Sequence, residues 1–220
     1  MGGGKETPRQ KMIGMMYLFL TALLALNVSK EIINAFVVIN HGIEETNSNF
    51  SSKLSSQYAG FKAAYDKNPV KAQKYWDQAQ KIKEESKKAV TYLTELKARI
   101  VAFSAEKDAN LFKKYIGKDA NGEDTLVNLK DFDKKDDYDS PTYVLIGGDP
   151  ASPTKDPFSA YDMIQKLTAY KKVLQNACSD NKAMVKRFEE AFAFKDEKNP
   201  DGKMEPWGVY NFFHSPVVAS

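Results

Sequence analysis

The side chains that most often do chemistry are few and scattered in this sequence. Its two histidines, His41 and His214, lie far apart and have no companions at metal-ligand spacing. The single cysteine, Cys178, sits in a helical pattern with no histidine nearby. It reads as a small buried hydrophobe rather than a nucleophile, and alone it can form no intrachain disulfide. The run from Gly2 to Lys5 has glycines but no strand before it, as a phosphate loop needs. Aspartates cluster at Asp119/Asp124 and at Asp131, Asp133, Asp136, Asp137 and Asp139. Neither group has the Asp-x-Asp-x-Asp-Gly spacing with a distal glutamate that calcium loops use. Lys134 and Lys135 balance the second group, which reads as a solvated acidic loop. The sequence therefore predicts no catalytic constellation, no cofactor and no metal site.

The charges in a distinctive setting are Arg9 and Lys11. They precede 18 uncharged residues, Met12 to Ser29. Thr7 can cap a helix, Pro8 suits its first position, and Gln10 completes a capping box. Arg9 and Lys11 then fall in the first turn, where cations oppose the macrodipole by a few tenths of a kcal/mol, roughly. The positive-inside rule explains them there and places the N-terminus in the cytoplasm. An uncharged run of this length is at the lower edge of what crosses a bilayer, which takes about 20 residues. The apolar pattern resumes as Ile32-Ile33 and Phe36–Ile39, so one helix over 12–39 would be about 42 Å long. A cleaved signal peptide fits less well, because no A-x-A site ends the apolar core. The expected organisation is a cytoplasmic tail over 1–11, a transmembrane helix and its extension over 12–39, and a helical domain on the far side of the membrane over 40–220.

Within the span, Gly14, Thr21, Ala25 and Ser29 recur at intervals of seven and four and form a stripe of small side chains. Such stripes let helix backbones approach closely in lipid. Asn27 adds a group able to hydrogen-bond across helices. Residues 12–29 hold no Asp, Glu, Lys, Arg or His. A device driven by ion flow usually needs an ionisable group in the membrane. If the chain belongs to such a device, the titrating carboxylate lies on a partner, and Arg9 or Lys11 is the nearest countercharge.

The stretch "TPRQKMI", the apolar run and "LALNVSKE" together resemble the N-terminus of the GldM family, called PorM in related secretion systems. The resemblance is close over roughly the first 35 residues. It implies a bacterial inner-membrane subunit of the type IX secretion and gliding apparatus, with one membrane helix followed by a series of periplasmic domains. It also implies a parallel homodimer whose membrane helices sit inside a ring of the multi-span partner GldL, the two forming a motor powered by the proton-motive force. The family arginine of "TPRQK", here Arg9, would pair with a glutamate of the GldL helices. Outer periplasmic ring components would be reached through further C-terminal domains.

The elements that must carry this are helical. From His41 to Asp66, Ile43, Phe50, Leu54, Tyr58, Phe61 and Tyr65 mark one helix face, ended by Asn68-Pro69. Residues 70–116 read as one long helix with Trp76, Ala79, Ile82, Ala89, Leu93, Leu96, Ile100, Phe103 and Phe112 on its buried side, stopped at Gly117. The stretch 117–157 loses periodicity and reads as an irregular insertion, with only Thr142–Ile146 strand-like. A connection this long tends to be functional or mobile. Helical spacing returns from Phe158 to Phe194, broken at Ser179–Asn181, with Ser179 or Asp180 capping the second helix. Asn199-Pro200-Asp201-Gly202 is a turn. The aromatic segment within 199–220, with Trp207, Phe212 and Pro216, packs on the bundle or leads into further domains, and resembles the segment closing the first periplasmic domain of the family. The fold class expected is all-α.

Outside the N-terminal tail the two signs of charge nearly balance, and the whole chain is only +3. No element carries the basic excess a nucleic-acid binder needs. Two other readings compete with a motor subunit. A periplasmic helical-bundle sensor or scaffold would share the architecture, although sensors normally return through a second membrane helix, and "FFHSPVVAS" is too short for one. A membrane-anchored enzyme lacks a site.

Overall fold

The structure, a computed structural model, describes residues 7–119, 122–127 and 132–220, except for the side chains of 23–29. Gly2–Lys5 and Asp131 lie outside the described residues. The chain divides into two units, Met1–Glu45 and Thr46–Ser220. Helix α1 (Pro8–Lys67) supplies residues to both.

The first unit begins with the capping box. Gln10 Oε1 accepts from Thr7 N at 2.9 Å, and Gln10 N donates to Thr7 Oγ1 at 3.4 Å. Pro8 opens the helix, where its missing N–H costs nothing. Every large apolar side chain from Met12 to Leu20 is more than half exposed. Among the described residues no helix is long and apolar enough to cross a membrane. The uncharged run from Met12 to Ser29 includes residues 23–29, whose side chains are not among those described. The described apolar surface of the expected span therefore reaches Ala22.

The second unit is built on α2 (Pro69–Glu106). Asn68 ends α1 and caps α2, accepting from Lys71 N, with Pro69 at the first helical position. The expected face of α1 is only partly used. Trp76 stacks on Tyr65 (5.3 Å, 17°) and meets Phe61 edge-on (5.5 Å, 78°), and Tyr58 OH donates to Ala79 O at 3.0 Å. Phe50 and Leu54 stay exposed. Further along α2 the neighbour is α4 (Ala160–Ala177), where Ser86 Oγ and Tyr170 OH lie 2.7 Å apart.

Helix α2 stops ten residues short of the expected end. Lys107 takes the left-handed conformation (φ 56°) and its N–H bonds Phe103 O. Asp108 then caps a 3-10 helix, Ala109–Tyr115, by accepting from Asn110 N. This local bond offers the backbone an alternative to continuing the α-helix. Phe112 lies in that 3-10 helix. Gly117, read as a stop, lies within strand β1 (Ile116–Lys118), which pairs antiparallel with β2 (Asp124–Leu126), Ile116 opposite Leu126.

Thr142–Ile146 is not a strand. Helix α3 (Asp139–Leu145) covers most of it. Asp137 Oδ1 accepts from the N–H groups of Asp139 and Ser140, and Gly147 at φ 93° closes the end by donating to Thr142 O and Tyr143 O. The β-branched run is overridden by its two ends. Part of the expected irregular insertion belongs to the core: Leu145 is 1% and Ile146 0% exposed, and both are members of the core cluster. Full burial of such side chains stabilises by about 1.5–3 kcal/mol each.

Ser159 caps α4 and accepts from Asp162 N. Helix α5 (Lys182–Ala191) is capped by Asn181, not by Ser179 or Asp180. Strands β3 (Glu197–Lys198) and β4 (Met204–Glu205) form a hairpin closed by Gly202 at φ 79°. The aromatic segment does pack on the bundle. Helix α6 (Trp207–Phe212) buries Val209, and a last 3-10 turn, Val217–Ala219, buries Val217 and Val218. The core joins Leu96, Ile100 and Val101 of α2 to Leu145, Ile146, Ala160, Met163, Val209 and Val217. Among the described residues the fold is helical, with two short hairpins.

Candidate functional site

The first candidate site is the start of α1. Arg9 and Lys11 lie in its first turn and are exposed. Among the described residues neither takes part in an ion pair. No acidic side chain occupies that turn, so nothing in the turn offsets two cations at the positive end of the dipole. The arrangement can receive a carboxylate from outside the chain, and Arg9 can do so through two parallel hydrogen bonds.

The small-residue stripe is partly visible. A Cβ added at Gly14 would meet nothing within 4 Å, so that side of the helix is open. Thr21 Oγ1 donates back to Tyr17 O (2.9 Å) and Leu18 O (3.0 Å). Its hydroxyl is satisfied within its own helix, and it presents a small surface rather than a free donor. Ala25, Asn27 and Ser29 belong to the helix, but their side chains lie outside those described.

The second unit holds a polar cluster that the sequence did not reveal. Arg99 pairs with Glu95 Oε1 through Nη2 (2.6 Å) and Nε (3.0 Å). Its guanidinium lies over the ring of Phe112 (4.3 Å) and over that of Phe158 (4.0 Å), a doubled cation–π arrangement. Phe158 also stacks on Tyr92 at 5.3 Å and has φ 66°, the left-handed region that a bulky residue rarely adopts. Its N–H donates to Asp162 Oδ2 at 3.0 Å. Burial, then the hydrogen bond to Asp162, pushes the Tyr92 hydroxyl well above its ordinary pKa. Every polar group named here has a partner, and the cluster joins α2 to the start of α4. The cue available in the sequence was Ser159-x-x-Asp162 before an apolar run. The contacts of Arg99 with Phe158 had none, because they join distant positions.

Beside this cluster, two open depressions of about 320 and 490 Å³ share Thr91 and Glu95. Lys113 and Asp124 line the first, and Lys87 and Tyr92 the second. Their charges are mixed in sign. His41 pairs with Glu45 on α1 at 3.6 Å. Cys178 is half-buried at the C-terminal end of α4, where its N–H bonds Leu174 O. Asp119 Oδ1 accepts from Glu123 N and holds the β1–β2 turn, and Lys118 pairs with Asp124. Among the described residues no three His, Cys, Asp or Glu side chains converge on a metal site.

The family described as GldM N-terminal domain matches residues 31–220 of the chain. The match leaves "TPRQKMI" and the uncharged run of 12–29 outside it and takes in the closing segment with Trp207, Phe212 and Pro216. No curated protein matches the chain.

Proposed function

Since the chain belongs to the GldM family, a family of structural and motor subunits of the gliding and type IX secretion machinery, we propose that it is a subunit of a motor driven by the proton-motive force. In this reading α1 crosses the bacterial inner membrane once, with residues 1–11 in the cytoplasm and most of the chain in the periplasm. Two copies associate in parallel through Gly14, Thr21, Ala25 and Ser29, and Asn27 hydrogen-bonds to a further membrane helix. A ring of GldL-like multi-span chains surrounds the pair, and domains further along the protein reach the outer periplasmic ring. Proton passage at a ring glutamate alternately neutralises and restores the partner of Arg9, with Lys11 beside it, and so moves one component against the other. The unbroken helix α1 carries that motion outward.

The observation that carries this reading is the start of α1: a capped helix with two exposed cations in its first turn, followed by residues 12–29 without a carboxylate. Exposed apolar side chains from Met12 to Leu20 support a cover of lipid or partner helices. The test is Arg9→Ala. It leaves the chain inserted and folded while gliding and secretion are lost. Arg9→Lys retains part of the function, because lysine supplies the charge without the planar fork. Normal secretion in the Arg9→Ala strain would overturn the role given to Arg9. Co-purification with a multi-span protein carrying a membrane glutamate at the depth of Arg9 tests the partner separately.

A further inference from the structure

The second unit contains a fastening for its own C-terminal segment. Lys134 Nζ donates to Ser104 O (3.0 Å) and Ala105 O (3.2 Å), carbonyls in the last turn of α2 that lack helical partners. Three residues on, Asp137 accepts from four donors. Its Oδ1 takes the N–H groups of Asp139 and Ser140, both at 3.0 Å. Its Oδ2 takes the hydroxyls of Ser104 (2.7 Å) and Ser140 (2.6 Å), with Lys107 Nζ at 3.7 Å. Ser104 and Ser140 are completely buried.

The backbone of the same short turn holds the end of the domain. Val217 N donates to Asp137 O (3.0 Å) and Val218 N to Lys135 O (3.2 Å). One turn along α3, Thr142 Oγ1 accepts from His214 N at 2.9 Å and approaches Phe212 O at 3.4 Å. His214 has φ 52°, a strained conformation for a non-glycine residue that persists only when its surroundings enforce it.

We propose that the 134–137 turn is a latch, with Asp137 as its clasp, that fastens the segment 212–218 to the end of α2 and lets that segment open as a unit with the first turn of α3. The clasp is necessary because two buried hydroxyls and two N-terminal amides of α3 all use one carboxylate. Without it they have no acceptor, and the turn that presents the Asp137 and Lys135 carbonyls loses its shape. The left-handed His214 is relieved when the segment leaves, which favours complete over partial opening. The inference concerns the fold and stands independently of the motor reading.

The test is amide hydrogen exchange on the full chain in detergent. In Asp137→Ala, the amides of Ser140, Val217 and Val218 exchange together at least tenfold faster, while those of Ile100 and Met163 keep their rates. Ser104→Ala, which leaves the α3 bonds of Asp137 in place, accelerates the same three amides by a smaller factor and decides the question if Asp137→Ala fails to fold. Unchanged exchange at Val217 and Val218 in Ser104→Ala would overturn the latch. So would equal acceleration at Ile100 and Met163, which would make Asp137 a general stabiliser.

Discussion

Tyr92 donates its hydroxyl hydrogen to Asp162 Oδ2 at 2.8 Å, and the same oxygen accepts Phe158 N–H at 3.0 Å. This joins α2 to α4 and holds Phe158 in its left-handed conformation. Tyr92→Phe removes one bond to a charged acceptor and should cost about 1.5 kcal/mol in unfolding free energy, the low end for such bonds. The pH dependence has a definite sign. Burial and the Asp162 bond raise the folded-state pKa above the ordinary value. The contribution of Tyr92 is therefore complete below about pH 10 and is lost as pH rises above it. Denaturant melts between pH 8 and 11 should show the wild type losing stability more steeply than Tyr92→Phe. Parallel slopes would contradict the assignment.

Asp137 gives the opposite slope. Burial pushes its pKa up, but the hydrogen bonds from Ser140, Ser104 and the amides of Ser140 and Asp139 outweigh that and hold it below the usual carboxylate range. Its stabilisation is present above the ordinary carboxyl pKa of about 3.9 and is lost as pH falls below it. Asp137→Asn should be less stable than wild type at pH 7, and the difference should shrink as the pH is lowered from 5 towards 2. A constant difference across that range would show that the carboxylate charge is not what matters.

The parts of this fold legible in the sequence are those decided locally. Thr7 and Gln10 form the capping box their spacing implies, Asn68-Pro69 separates α1 from α2, and the Asn199–Gly202 turn closes a hairpin. The failures have tertiary or competing local causes. Phe112 continues the spacing of α2, yet Asp108 caps a new turn before it. Thr142–Ile146 has strand composition, but Asp137 and Gly147 at its ends make it a helix. The flanking Asp, Ser-Pro and Gly-Gly were the readable signal. At the first site, Arg9 and Lys11 stand where the capping box puts them. At the second, Arg99 and Phe158 are 59 positions apart, and nothing local couples them.

At Gly208 helix α6 lies tight against the start of α4. A Cβ placed there would lie 2.8 Å from Ala160 Cβ and 4.0 Å from Ile146 Cδ1. Neither helix backbone can yield without disturbing the core around Val209, which is 4% exposed. Gly208→Ala should lower stability by about 1–3 kcal/mol, the usual range for overpacking. Ala160→Gly combined with Gly208→Ala should recover part of the loss, because the clash involves that one methyl group. Failure of the double variant to recover any stability would place the strain elsewhere.

The proposed dimer makes a geometric prediction about α1. Gly14, Thr21, Ala25 and Ser29 fall on one face at helical spacing, and Thr21 keeps its hydroxyl on its own helix, so at that position the face offers close packing rather than a hydrogen bond. Single cysteines placed along residues 14–29, in a background with Cys178 replaced by alanine, should crosslink in membranes with a helical period. Maxima are expected at 14, 21, 25 and 29, strongest at Ala25. Positions on the opposite face, such as Leu23, should crosslink weakly. Large side chains at the maxima, as in Ala25→Leu, should reduce the crosslinked fraction at neighbouring positions by holding the helices apart. A flat crosslinking profile would remove this face as the dimer contact while leaving the role of Arg9 open to its own test.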